Sequence, residues 1–271
     1  MFKYLKLGLV AGMLGFSLCA TAADKLILGV QNYNKGPVVM VREHLGLAKY
    51  LSRTLGQEVR VESVKNYDEF MDKAGKKRYA FIFAPPNMVM QANKRAGFEP
   101  VAKIPGLLAV SYMAFSKSGI AFPEDMKGKR VGLPDKESMM AKLAFVHLQE
   151  LGIDPNKYFK SITYYSDVQA ILFALEANLI DVAAANSSLF NFWTTKGHDI
   201  NVISQGKGVP HLTFAVSPDL SASQKAAIAA ALPKAHLDKD AQEFFAYSSL
   251  PQFELAKIDD YKDLVAMLQI K

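Results

Sequence analysis

The chain has 271 residues, 50% of them hydrophobic, with 17 glycines, 12 prolines and a single cysteine. That length is enough for one large core or two smaller ones, and nothing in the composition suggests disorder. Its 32 Lys+Arg against 26 Asp+Glu give a net charge of +6, scattered along the sequence rather than gathered into the basic stripe of a nucleic-acid binder.

The first residues read as an export signal. Lys3 and Lys6 form a positive start, and an apolar run follows from Leu7 to Leu18. Ala20-Thr21-Ala22 then places small residues where a signal peptidase inspects them. Residues 1–22 are therefore expected to be a cleavable signal peptide, and the protein to reside in the periplasm of a Gram-negative bacterium. A retained anchor is disfavoured because the run is shorter than the ~20 residues a spanning helix needs. A lipid-modified Cys19 is disfavoured because Phe16-Ser17-Leu18 puts no small residue just before it. Cleavage after Ala22 leaves no cysteine, so the mature chain has no thiol for catalysis or for a metal. It also leaves 30 Lys+Arg against 26 Asp+Glu, a mild net +4 that favours anionic ligands slightly.

The mature sequence alternates strand-like and helix-like segments. Lys25 to Val30 is a short apolar run. Pro37 to Leu55 follows with helical spacing, with Val41, Leu45, Ala48, Leu51 and Leu55 on one face and Gly56 as the C-cap. Val59 to Val64 alternates as a strand does. Asn66 with Glu69 predicts a capping box, and Tyr79 to Ala84 is continuously apolar, as a buried parallel strand would be. A helix over about Asn87 to Arg95 is stopped by Gly97. Further on, Arg130 to Leu133 predicts a strand and Met139 to Leu151 a helix stopped by Gly152. Ser161 to Tyr165 and Asp181 to Ala185 are the next strands. Ser166 with Gln169 and Ser221 with Gln224 give two more capping boxes. This βα alternation predicts an α/β protein with mainly parallel sheets flanked by helices.

Leu108 to Ser116 and Thr213 to Ser217 differ, as strands not tied to a helix. Read as two crossing strands, they divide the chain into lobe 1 (23–110 and 213–271) and lobe 2 (111–212). Two lobes joined by two strands is the layout of a hinge-closing binding protein. Ligand is then expected where helix N-termini meet the carboxyl ends of the strands.

Several motifs point to a known family by their order and spacing. They are the opening LILGV strand, Asn66-Tyr67-Asp68, Ala84-Pro85, and Tyr112 followed by Ser118-Gly119-Ile120 and Asp125-Met126-Lys127-Gly128-Lys129-Arg130. Leu151-Gly152-Ile153-Asp154-Pro155 with Tyr158-Phe159, and Asp260-Tyr261 to Leu268, complete the set. Over essentially the whole mature chain the sequence resembles the phosphate/phosphite/phosphonate-binding periplasmic proteins of ABC transporters. The resemblance implies a two-lobed type II periplasmic binding protein fold, a small anionic ligand, no cofactor, and an inner-membrane ABC permease as partner. It also implies that Tyr67, Tyr112 and Ser138 face the anion, through two phenol hydroxyls and a hydroxyl at a helix start. Such groups and free helix N–H groups donate to oxyanions.

The departures from the family pattern fall in the same places. Met139, Met140 and Ala141 replace the rest of a serine/threonine-rich helix start. Val168, or Asp167 in a shifted register, stands where the family has a pocket histidine. Ser188 and Leu212 stand where aminophosphonate binders carry acids. A 2-aminoethyl-phosphonate ligand is therefore not expected. A bare phosphate-like anion and a more apolar or larger ligand accommodated by Met139 and Met140 both stay open.

By position at loops that should open on the cleft, Asn32, Tyr33, Asn87, Asn186 and His211 complete the expected binding set. Turn or capping roles are the alternative for each. His44, His147, His198 and His236 show no metal-ligand spacing, so no metal site is expected. There is no glycine-rich phosphate loop, G-x-S-x-G elbow or H-E-x-x-H, and no enzyme activity is expected. A monomeric uptake protein is the first reading. A sensor module delivering its closed form to a membrane histidine kinase, and an enzyme on the same fold, are the alternatives.

Overall fold

The computed structural model describes residues 25–31 and 35–271. The expected signal peptide, Asn32 and Tyr33 lie outside the described residues. In chain order the first elements are β1 (Leu26–Val30), α1 (Pro37–Leu55), β2 (Val59–Ser63), α2 (Tyr67–Gly75), β3 (Phe81–Ala84), α3 (Pro86–Ala96) and β4 (Glu99–Lys103). The middle comprises β5 (Leu107–Leu108), β6 (Val110–Phe115), β7 (Arg130–Pro134), α4 (Met139–Glu150), α5 (Pro155–Tyr158), β8 (Ser161–Tyr165), α6 (Val168–Glu176), β9 (Val182–Asn186), α7 (Ser188–Thr195), β10 (Ile200–Gln205) and β11 (Val209–Pro210). The chain ends with β12 (Thr213–Val216), α8 (Ala222–Ala231), α9 (Gln242–Ser248), β13 (Glu254–Leu255) and α10 (Lys262–Met267).

These strands form two sheets and a ribbon. The first sheet has the order β13-β4-β12-β3-β1-β2, and the second β10-β6-β9-β7-β8. In each sheet the strands of the βαβ units pair in parallel: β1 with β2 and β3, and β7 with β8 and β9. The expectation of mainly parallel sheets holds only for those units, because β12 and β6 enter antiparallel to their neighbours. The cause is where each strand starts. The βα strands end at the gap between the sheets, whereas β6 and β12 begin there, straight after the chain crosses, and so must run the other way.

The crossing itself is shorter than the sequence suggests. It is the antiparallel ribbon of β5 and β11, with Leu108 opposite Val209 and Leu107 opposite Pro210. The expected crossing strands, 108–116 and 213–217, share only Leu108 with the ribbon; the rest of each supplies β6 and β12, interior strands of the second and first sheets. Their continuous burial explains it: all four residues of β12 and the first five of β6 are covered.

Helix ends follow local chemistry closely. Gly56, Gly97 and Gly152 adopt left-handed φ values of 63°, 75° and 73° at or just beyond helix C-termini, where a Cβ would be strained. The Ser221–Gln224 box closes in both directions. Asn66 Oδ1 accepts from the Glu69 amide at 2.9 Å, but the Glu69 carboxylate turns to Lys73 instead of completing the box. Ser166 is not a cap. Asp167 takes that place, accepting from the Ala170 amide at 2.8 Å, because its carboxylate is the stronger acceptor one position nearer the first turn.

Among the described residues, three apolar clusters hold the fold. One stacks Phe81, Phe83, Phe214, Phe244 and Phe253 between the first sheet and α1, α8 and α9. Here α1 buries Met40, His44, Leu47, Ala48 and Leu51, so the buried face is turned from the expected one and Leu45 is 46% exposed. A second packs Trp193, Ile171 and Leu175 on the outer side of the second sheet. The third is continuous across both sheets: Met88 and Val89 of α3 belong with Leu133, Met139 and Leu143 around α4. Among the described residues no helix is long and apolar enough to cross a membrane.

Candidate functional site

Where the two sheets face one another beside the ribbon lies a cavity of about 220 Å³. Every wall is a strand end or a helix start. Pro134 closes β7, Ser138 to Met140 open α4, Val168 opens α6, Asn186 ends β9, and Ser188 and Leu189 open α7. Pro85 from the end of β3, Leu108 of β5, and His211 with Leu212 just before β12 complete it. Helix N-termini thus converge on the cavity, each contributing about half a positive charge and free N–H groups.

Ser138 is the N-cap of α4. Its hydroxyl oxygen accepts from the Ala141 amide at 3.2 Å and the residue is buried. The first bond of the helix runs from the Lys142 amide to the Ser138 carbonyl. The Met139 and Met140 amides therefore have no intrahelical acceptor. Asn186 Oδ1 accepts from the Ser188 amide at 3.1 Å, shaping the turn into α7. That turn is pinned to the ribbon side: the Ser187 amide and hydroxyl both donate to the Ala109 carbonyl, and the Ser187 and Ser111 hydroxyls are 2.7 Å apart.

His211 is mostly buried, and burial lowers its pKa to about 4, so the ring is neutral at neutral pH. Its Nδ1 accepts from the Leu212 amide at 2.7 Å. The proton of the neutral ring accordingly sits on Nε2, which makes that nitrogen a donor. Among the described residues the lining carries no lysine, arginine, aspartate or glutamate. It offers a few hydroxyl, amide and imidazole groups set in an otherwise apolar wall. No group of three or more His, Cys, Asp or Glu that could hold a metal occurs among the described residues.

Of the expected binding residues, Ser138, Met139, Asn186 and His211 line this cavity. The others do not. The Tyr112 side chain is 1% exposed, and its hydroxyl donates to the Ala144 carbonyl at 3.0 Å. It stacks between His147 and Phe159, and burial raises its pKa strongly. The reason is the direction of β6, which carries position 112 away from the gap and under α4. Tyr67 opens α2, which packs on α3, so its hydroxyl donates to Gln91 Oε1 and its ring faces the Lys142 ammonium at 5.1 Å. Asn87 is fully buried, with both side-chain amide atoms unpartnered, and lies on a separate cavity between α3, α4 and the C-terminal turn.

The residues that sequence reasoning missed are Pro85, Leu108, Pro134 and Leu189. Their signal was positional: each sits at a strand end or first helical turn that opens on the gap. Met140, Val168, Ser188 and Leu212, singled out as departures from the family pattern, all line the cavity.

Solved structures with the same fold include PhnD1 from Prochlorococcus marinus (MIT 9301) in complex with methylphosphonate, at 13% identity and a TM-score of 0.76, covering 90% of this chain and 97% of that one. XAC2383 from Xanthomonas citri bound to ATP is similar at 14% identity and a TM-score of 0.74, with 90% and 97% covered. A binding protein component of an ABC phosphonate transporter from Pseudomonas aeruginosa follows at 18% identity and a TM-score of 0.70, with 90% and 85% covered. These likenesses establish the two-lobed type II periplasmic binding protein fold. No curated protein sequence matches this one closely enough to count as a relative. The family profile described as "ABC transporter, phosphonate, periplasmic substrate-binding protein" matches residues 33–261. The chain therefore belongs to the phosphonate-binding family of periplasmic substrate-binding proteins, the solute-capturing components of ABC transporters.

Proposed function

We propose that this protein captures a phosphonate-type organic anion in the cavity beside the β5–β11 ribbon and delivers it, unaltered, to an inner-membrane permease. The observation that carries this reading is the convergence of the Ser138 helix start, Asn186 and His211 on one cavity built from both sheets. Lobe 1 is taken as 23–110 with 213–271, and lobe 2 as 111–212, in keeping with the membership of the two sheets. Ligand bridges both lobes only when they are closed, so it shifts the population toward the closed form. Hinge motion is concentrated in the ribbon, where only two residue pairs join the strands.

The working protein is a monomer that performs no chemistry on its ligand. It is exported to a Gram-negative periplasm through cleavage of residues 1–22. Family membership does not favour the sensor-kinase alternative.

The test is a thermal-shift screen of the mature chain, refolded to remove carried-over ligand. The panel holds phosphate, phosphite, alkylphosphonates, sulfate and small carboxylates. A ligand at about 100 times its Kd stabilises by about 2.7 kcal/mol. A selective rise with phosphonates, lost in Asn186→Ala, supports the reading. A panel without any shift overturns it.

A further inference from the structure

The cavity walls carry more information than the presence of an anion site. Among the described residues of its lining, only Ser138, Asn186, Ser188 and His211 offer polar side chains. The remainder are proline, leucine, valine and methionine. Met139 is 4% exposed and fixed in the core that joins the sheets, while Met140 is only partly covered and packs against the edge of that core. Leu212 and Val168 approach from opposite sheets, so the apolar wall is not confined to one lobe.

Charge points the same way. His211 is neutral, and the nearest cation on α4, Lys142, is paired with Glu137 at 3.4 Å and sits over the Tyr67 ring. Among the described residues, a compact oxyanion here is held by helix ends and a few neutral donors alone. If the ligand were nothing more than such an oxyanion, most of the wall would face it without a hydrogen bond to give, which is costly for a charged group taken from water. Thioether and aliphatic walls instead match a hydrocarbon surface, and methionine adapts to irregular shapes.

The size fits a ligand with two parts. A dry cavity of about 150 Å³ admits benzene. This one, at about 220 Å³, has room for a ring or short chain beside a small head group.

Resting on the proposed function, we propose that the ligand is an amphiphilic organophosphonate. Its oxyanion head meets the Ser138 end of α4, and its body of about four to six carbon atoms lies against Met139, Met140, Val168 and Leu212. Inorganic phosphate and methylphosphonate are then poor ligands, because they leave that wall unfilled. Each methylene buried tightens binding about four-fold, the equivalent of its transfer free energy.

The experiment is isothermal titration calorimetry on the refolded mature chain with phosphate, methyl-, ethyl-, propyl-, butyl- and phenylphosphonate. Affinity should rise about four-fold per carbon, or about sixty-fold from methyl to butyl, with phenylphosphonate among the tightest. Met140→Ser should flatten that slope across the methyl-to-butyl series. Its partial exposure keeps the variant folded, and Val168→Ser provides the same readout from the other helix. Binding that is independent of chain length among the phosphonates, or tightest for methylphosphonate, overturns this proposal and leaves the proposed function standing, whereas binding tightest for phosphate overturns both. No binding by any member overturns both.

Discussion

The Tyr112 hydroxyl donates to the Ala144 carbonyl at 3.0 Å, tying the central strand β6 to the helix α4 that opens on the cavity. The bond is buried and Tyr112 is not part of the cavity lining, so the bond acts to hold α4 in place. Tyr112→Phe removes one buried hydrogen bond and leaves the ring packing intact. The expected cost is about 1 kcal/mol of stability, or a Tm lower by about 2–4 °C for a chain of this size. Phosphonate affinity should be unchanged within two-fold. Urea unfolding and calorimetry on the same preparation separate these effects, and a large loss of affinity at unchanged stability would return Tyr112 to the binding site.

Ser138 combines two roles that substitutions can separate. As N-cap of α4 it accepts from the Ala141 amide, and as a wall residue it stands at the free Met139 and Met140 amides. Ser138→Ala loses the cap, at about 1 kcal/mol, and removes a hydroxyl donor, so both stability and affinity should fall. Ser138→Asp keeps the cap and adds a negative charge at the same helix end. It should restore stability to near wild type while weakening anion binding at least ten-fold further. If the Asp variant binds phosphonate as well as wild type, the head group does not sit at this helix.

The framework was largely legible in the sequence, because glycine and capping chemistry are local. Gly56, Gly97 and Gly152 mark helix ends whatever packs around them. What sequence could not fix was which of two helical stripes on α1 is covered. Val41 with Leu45 and Met40 with His44, Leu47 and Leu51 both have the right spacing. The choice is made by Phe83 and Phe244, which close on His44 at ring distances of 5.7 Å and 5.0 Å. The site followed the same rule. Ser138, Met139, Asn186 and His211 could be placed at the cavity because each is local to a strand end or helix start. Tyr112 and Tyr67 could not, since their partners Ala144 and Gln91 are fixed only by tertiary packing.

Acid should weaken the fold in a window set by two histidines. Burial lowers the pKa of His44 to about 4, and that of His211 to about 4 as well. His44 Nδ1 is held by the Met40 carbonyl at 2.7 Å, Nε2 is buried without a partner, and nearby Lys35 disfavours a second positive charge. Above pH ~6.5 both rings are neutral folded and unfolded, so they cost nothing. Between about 6.5 and 4 the unfolded chain takes up protons that the folded chain refuses. Stability therefore falls as pH drops through that range and levels off below it. For His44 the loss is up to about 3 kcal/mol. His44→Leu should remove its share of the slope between pH 7 and 4.5 in urea unfolding, and leave untouched the acid loss below pH 4 from carboxylates such as Asp181 and Asp260, whose pKa values are lowered by Arg130 and Lys103. An unchanged slope between pH 7 and 4.5 would show that His44 titrates normally in the folded protein.

Helix propensity and packing make opposite predictions at Gly46, in the middle of α1. In an isolated helix Gly→Ala gains about 1 kcal/mol. Here a Cβ on Gly46 would lie 2.3 Å from the Asp240 backbone carbonyl oxygen, in the turn that leads into α9. A backbone oxygen cannot swing aside as a side chain can, so α1 or that turn must shift. Overpacking of this kind costs about 1–3 kcal/mol or more, and it also opens the aromatic cluster that α1 and α9 share. Gly46→Ala should therefore be destabilising by about 2 kcal/mol despite its better propensity. Gly75→Ala is the matched control, at the last residue of α2 with nothing within 4 Å of the added carbon. It should be neutral or stabilising by up to about 1 kcal/mol. Chemical denaturation of the two variants side by side decides it: a stabilised Gly46→Ala would mean that α1 does not approach the Asp240 turn as closely as the fold places it.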